Sequence, residues 1–142
     1  MGSVREADAG DVNSIYELIV DLEQTSIDKE HFQKVFSYNL SIQGVYYFVY
    51  EDKGEILGFV SLHIQRLLHH AASVGEIQEI IVDKRKRGSG IGKILYEKVV
   101  EVSVQQGCQQ LEVCCHKMNA SGRSFYASQG MTNNHYKYCL KL

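Results

Sequence analysis

The 142-residue chain contains no proline and no tryptophan, and its four cysteines include no Cys-x-x-Cys pair. Without proline every turn must rest on Gly, Asn, Asp and Ser, which reach turn geometry by positive φ or by side-chain bonds to the backbone. Cys108, Cys114, Cys115 and Cys139 lack the spacing of a zinc or redox motif, and a chain of this size needs no disulfide framework, so they read as free thiols. No apolar run approaches the ~20 residues of a membrane span, and Met1-Gly2-Ser3-Val4-Arg5 has no apolar signal core, so a cytoplasmic protein without a membrane partner is expected. A dominant charge is missing as well. The balance of 15 Lys and Arg against 17 Asp and Glu gives a net charge of -2, which exerts no overall pull on nucleic acid and makes any basic feature local. What remains is a globular composition, 44% hydrophobic and 23% charged, in a length that suits one domain over residues 1–142.

There is no internal repeat, low-complexity segment or linker. Val4 to Ala7 reads as a short strand, after which Asp8 or Asp11 can cap a helix whose apolar positions Ile15, Leu18, Ile19 and Leu22 keep helical spacing. A second helix is expected over Lys29 to Leu40. Val45 to Glu51 and Ile56 to Ile64 are β-branched and aromatic runs around Asp52-Lys53-Gly54, which marks an antiparallel hairpin. Glu76 to Val82 continues as a strand. Ile91, Ile94, Leu95, Val99 and Val102 then mark one face of a helix ended by Gly107, followed by a strand at Leu111 to Cys115, a helix at Asn119 to Ser128 and a closing strand at Tyr136 to Leu142. The order β-α-α-β-β-β-α-β-α-β predicts an α/β (α+β) fold with a strand-loop-helix unit inside a mixed sheet.

That unit holds the most informative stretch, Lys84-Arg85-Lys86-Arg87-Gly88-Ser89-Gly90-Ile91-Gly92-Lys93. Glycines let the backbone approach a ligand closely, and N–H groups at a helix start present partial positive charge, so the turn suits a pyrophosphate. Gly88, Gly90 and Gly92 do not match the Gly-x-Gly-x-x-Gly dinucleotide pattern. They are one residue short of a Walker loop, which would also need a hydroxyl where Ile94 stands. Arg87-x-x-Gly90-x-Gly92 remains, with a merely solvated glycine turn as its alternative.

This pattern resembles the (Gln/Arg)-x-x-Gly-x-(Gly/Ala) acetyl-CoA motif of the GNAT acetyltransferases. Arg5-x-Ala7 with Asp11, Ile15 and Leu18 resembles that family's first strand and helix, and Asn119, Phe125-Tyr126 and Gly130-Met131 resemble its last motif. The resemblance implies a mostly antiparallel mixed sheet flanked by about four helices, with Glu76–Val82 and Leu111–Cys115 splayed around the pantetheine arm. Under it, the backbone of Ile81 and Val82 pairs with pantetheine and Asn119 contacts it, while Arg87, Gly88, Ser89, Gly90, Ile91, Gly92 and Lys93 hold the pyrophosphate. Within the family, Leu62-His63-x-Gln65-x-x-Leu68-His69-His70 and Gly75-Glu76-Ile77-Gln78-Glu79 resemble the bacterial aminoalkylphosphonate N-acetyltransferases. A weaker resemblance runs to glucosamine-6-phosphate acetyltransferases. Both imply a small amine acceptor carrying a phosphorus oxyanion.

Acetyl transfer requires a neutral amine, whose pKa near 10 makes a neighbouring base useful. Glu76 and Glu79 are the candidates, on opposite faces of an ideal strand unless a bulge intervenes. The resemblance gives Glu76 the role of base and Tyr126 that of acid to the leaving thiolate. His63, Arg66, His69, His70 and Glu79 are expected near the acceptor. His63, His69 and His70 are also candidate ligands of a divalent metal ion, although their spacing matches no zinc pattern. Cys114 offers a covalent route, disfavoured because nothing marks a base that would make it a thiolate. A polyamine or protein-tail transferase and a non-catalytic acetyl-CoA-binding module stay open as alternatives, and so does a homodimer.

Overall fold

β-Branched and aromatic runs set the strands of the computed structural model, which describes residues 1–142. Ser3–Glu6 (β1), Val45–Asp52 (β2), Glu55–Leu67 (β3), Ala72–Val82 (β4) and Gln110–Val113 (β5) form one sheet in the order β1-β2-β3-β4-β5. The helices are Val12–Glu23 (α1), Lys29–Leu40 (α2), Ile91–Gln105 (α3) and Ala120–Ser128 (α4). The first three strand pairings are antiparallel. Between β2 and β3 the two-residue turn has Lys53 at φ 51° and Gly54 at φ 78°, the left-handed pair that matches strand twist. The Gln109 N–H donates to the Ser73 carbonyl at 2.9 Å, and Leu111 lies beside Gly75, so β4 and β5 run parallel across the α3 crossover.

By its contacts the chain forms two compact units, Met1–Glu112 and Val113–Leu142. In the first, α1 and α2 cover one face of the sheet, where Ile15, Leu18 and Phe36 pack on Val49, Phe59 and Ile81. The other face meets α3 so closely that a Cβ on Gly58 would lie 2.9 Å from Leu95 and 3.0 Å from Ile91. Leu95 is completely buried there, and truncating such a residue to alanine costs about 2–5 kcal/mol. The α1 entry is tied down by charge. Arg5 grips Asp11 in a fork at 2.8 and 2.9 Å while its Nε donates to Glu51 at 3.1 Å, and the Asp8 N–H also donates to Asp11 at 2.8 Å.

Helical spacing overreached at two positions. Leu22 and Ile94, expected on apolar faces, are 39% and 42% exposed, whereas Tyr96 and Ser103 of α3 are buried. Strands β3 and β4 run further than the apolar runs suggest, to Leu67 and back to Ala72. Main-chain ladders continue through polar residues as long as both partners stay extended.

In the second unit Asn119 caps α4, its Oδ1 accepting from the Gly122 N–H at 2.9 Å, and the chain leaves the helix through Gly130 at φ 86°. The expected strand at Tyr136–Leu142 is absent. That segment is exposed without regular structure, because alternation alone makes no strand where no ladder partner satisfies the backbone.

Candidate active site

Strand β4 carries both candidate glutamates, and its register decides which side chains meet. Ser61 pairs with Glu79 but Leu62 pairs with Ile77, so Gln78 is an extra residue on β4, a bulge. One extra residue reverses the alternation. Glu76 and Glu79 therefore share a face with Ser61 and His63, on the side covered by α1 and α2. Ser61 is completely buried; its hydroxyl donates to Glu79 Oε1 and accepts from the Glu79 N–H at 3.0 Å. Composition and motif gave no hint of Ser61, since only the β3–β4 register places it there. Across the next strand pair lies Tyr47, whose Oη accepts from Asn39 Nδ2 at 2.7 Å.

The other acceptor candidates do not converge on this row. Arg66 is exposed and alternates onto the face opposite His63, Glu76 and Glu79. His69 and His70 lie in the β3–β4 turn, six and seven residues beyond His63 and so about 20 Å along an extended chain. His70 Nε2 instead approaches Glu112 at 3.9 Å, and the His69 and His70 rings lie tilted by 51° with centroids 4.4 Å apart. The expected three-histidine metal site is thereby corrected: no group of three or more His, Cys, Asp or Glu could hold an ion. A strand separates what a compact loop would have gathered.

At the other end of β4 the chain turns through Lys84–Lys86 and enters α3 at Gly90. Gly88 and Gly90 adopt φ 81° and 90°, and a Cβ at either would meet nothing within 4 Å. Those angles open the backbone to solvent. No side chain caps α3 at Gly90, so the first-turn N–H groups of Ile91, Gly92 and Lys93 point out unpaired. An uncapped helix start behind two left-handed glycines fits a pyrophosphate. The Ser89 hydroxyl donates to the Lys86 carbonyl.

The basic run divides by partner. Arg85 belongs to the scaffold: it grips Asp83 at 2.8 and 3.0 Å and reaches Glu55 at 3.1 Å. These bonds hold the Asp83 carboxyl well below its usual range, at about 2. Lys84 and Arg87 both face Asp21 on the last turn of α1, at 3.7 and 3.8 Å, and Arg87 Nε also reaches the Val82 carbonyl at 3.4 Å. Residues Tyr16, Val20, Asp21, Gln24, Thr25 and Ser26 line an open cavity of about 630 Å³ beside them. Ile81 and Val82 pair with Phe59 and Gly58 on the β3 side. On the other side β5 starts opposite Ser73 and is only four residues long, so its ladder stops short of Ile81 and Val82.

The family profile described as the acetyltransferase (GNAT) family matches residues 12–131. The chain belongs to the GNAT acetyltransferase family. This GNAT enzyme is 33% identical over 135 residues to the aminoalkylphosphonate N-acetyltransferase of Salmonella typhimurium, a match covering 95% of the chain and 88% of that protein. A glucosamine 6-phosphate N-acetyltransferase of Trypanosoma brucei brucei is 35% identical over 65 residues, 45% of the chain and 44% of that protein. Among solved structures, glucosamine-6-phosphate N-acetyltransferase from Arabidopsis thaliana superposes with a TM-score of 0.83 at 25% identity, covering 99% of this chain and 98% of that one. A protein of Bacillus halodurans described as a transcriptional regulator superposes at 0.92 over the full length of both chains, a likeness of fold alone at 19% identity. The GNAT chain is an acetyl-CoA-dependent N-acetyltransferase. No helix is long and apolar enough to cross a membrane.

In the second unit, Phe125 and Tyr126 pack edge to face with ring centroids 5.5 Å apart. Asn119, expected at the pantetheine arm, spends its Oδ1 on the cap of α4. Cys114 is exposed.

Proposed function

We propose that this GNAT enzyme acetylates the primary amine of a small aminoalkylphosphonate. The observation that carries this reading is a likeness running along 95% of the chain to an enzyme named for that substrate class, whereas the Trypanosoma glucosamine 6-phosphate relative matches 45% of it. Acetyl-CoA supplies an activated acetyl group as a thioester. The turn from Arg87 to Lys93 binds the pyrophosphate through backbone N–H groups and the Lys84 and Arg87 charges, and the outer edge of Ile81–Val82 bonds the pantetheine amides.

The row on β4 receives the amine. Glu79, held by Ser61, binds the ammonium form, and Glu76 takes the proton that makes the nitrogen nucleophilic. His63, directly opposite Glu76, supplies a hydrogen-bond donor toward the phosphonate. Tyr126 takes the acid role by its place in the family motif, returning a proton to the departing thiolate. A phosphorylated amino sugar is the second reading, favoured by the Arabidopsis structure superposing on 99% of the chain.

The test is steady-state kinetics with acetyl-CoA over 2-aminoethylphosphonate, aminomethylphosphonate, glucosamine 6-phosphate and spermidine. The aminophosphonates should have the highest kcat/KM. Glucosamine 6-phosphate or spermidine exceeding both would overturn the substrate assignment.

A further inference from the structure

Residues 24–28 join α1 to α2, and local preference alone does not set their course. The chain leaves α1 through Gln24 at φ 53°, a left-handed angle taken without glycine, with its N–H bonded to the Val20 carbonyl at 2.9 Å. Tyr16, further back on α1, ties the connection down. Its hydroxyl donates to the Ile27 carbonyl at 2.5 Å, across 11 residues of chain. The ring itself is held from α2: Phe32 meets it edge to face with centroids 5.1 Å apart, and Lys29 Nζ stands 5.4 Å from its centroid. One side chain of α1 thus fixes both the start of α2 and the backbone between the helices. That backbone forms a wall. Gln24, Thr25 and Ser26 line the open cavity of about 630 Å³ together with Tyr16, Val20 and Asp21, whereas His63, Glu76 and Glu79 do not border it. Asp21 faces Lys84 at 3.7 Å and Arg87 at 3.8 Å, so the cavity adjoins the cofactor turn. Thr25 and Ser26 are exposed there, each with a hydroxyl able to donate and accept a hydrogen bond.

We propose that Tyr16 is a positioning residue for acetyl-CoA, which by holding Ile27 presents the Thr25 and Ser26 hydroxyls to the stretch of the cofactor next to its pyrophosphate. That stretch is the start of the pantetheine arm, whose hydroxyl and amides are partners for such groups. A wall fixed before binding does not lose the entropy of being ordered during it, so the hold on Ile27 is read out as cofactor affinity. The wall belongs to the cofactor side of the site and leaves amine affinity untouched. The proposal rests on the reading that the Arg87–Lys93 turn holds the pyrophosphate.

The experiment is Tyr16→Phe, which keeps the ring against Phe32 and Lys29 and removes only the hydroxyl. The Kd of acetyl-CoA by calorimetry should rise about three- to tenfold, the size of one neutral hydrogen bond, while kcat and the KM for 2-aminoethylphosphonate stay within about twofold. Amide hydrogen exchange over residues 24–28 of the free enzyme should quicken in the same variant. Thr25→Val or Ser26→Ala should also raise the Kd, and combined with Tyr16→Phe the loss should fall short of the product of the two. A wild-type Kd in Tyr16→Phe, a fall in Tm as its only effect, or a loss that lands on the KM of the amine instead overturns the proposal. Should that variant not fold, a wild-type Kd in both Thr25→Val and Ser26→Ala overturns it equally. Gly90→Asp separates the two levels: if it binds acetyl-CoA as wild type does, the pyrophosphate reading fails. If it loses acetyl-CoA while Tyr16→Phe does not, only the positioning role fails.

Discussion

Gly90 is where backbone geometry and ligand binding can be separated by experiment. It stands at φ 90°, ψ 0°, immediately before the first turn of α3, with open space where a Cβ would go. Alanine there clashes with nothing in the protein, so its cost to the fold is the left-handed backbone alone, about 1–2 kcal/mol. For a chain of this length that is a fall in Tm of roughly 3–8 °C. Gly107, past the other end of the same helix, provides the matched control: φ is 77°, and its Cβ would likewise meet nothing within 4 Å. Gly90→Ala and Gly107→Ala should therefore lose similar Tm by calorimetry. Only the first should lose acetyl-CoA. Its methyl group fills the space where the pyrophosphate meets the helix start, and losing one charge-assisted hydrogen bond is worth about 1.5–3 kcal/mol, roughly 10- to 100-fold in Kd. Gly90→Asp, which adds a like charge, should weaken binding further. The reasoning is refuted if Gly90→Ala loses as much Tm as Gly107→Ala yet binds acetyl-CoA with wild-type affinity.

Asp21 faces Lys84 and Arg87, so a pyrophosphate must compete with it; Asp21→Asn should tighten acetyl-CoA binding about two- to fivefold at low salt, a gain that fades in 0.5 M salt as screening shortens the range of charge. Weaker binding in that variant would mean that Asp21 orients the cations instead. Glu76→Gln should lower kcat by roughly 10²–10⁴-fold with little change in acetyl-CoA Kd, and Tyr126→Phe should do likewise, whereas wild-type turnover in both would sink direct transfer as described. The Arg5 fork holds the Asp11 carboxyl below its ordinary value, so its contribution is complete above the unfolded carboxylate pKa and is lost as pH falls through the lowered folded one. Asp11→Asn should accordingly be less stable at pH 7 and lose less stability than wild type on acidification below about pH 4, and parallel acid limbs in the two proteins would refute it.

Local signals carried far in this chain. The bounds of α2, the hairpin at Lys53-Gly54 and the glycine turn before α3 depend on residues within a few positions of one another, where φ preference and periodicity act directly. Arg5 and Asp11 were legible as part of a pattern, although their bidentate grip and its tie to Glu51 in β2 required the sheet. Pairing across strands decided the rest. The bulge at Gln78 exists only because β4 must register with β3, yet it puts Glu76 and Glu79 on one face and leaves Ser61 bonded to Glu79. The same extended ladder carries His63 away from His69 and His70 and turns Arg66 to the opposite face. Within the basic stretch, it is the sheet and its flanking turn that bring Asp83 and Glu55 to Arg85. The sequence by itself determined which residue types were available for the chemistry and where the chain would turn. Tertiary structure alone decided which of them met, because a strand's side chains take their neighbours from register and parity, and both are set by the adjacent strand.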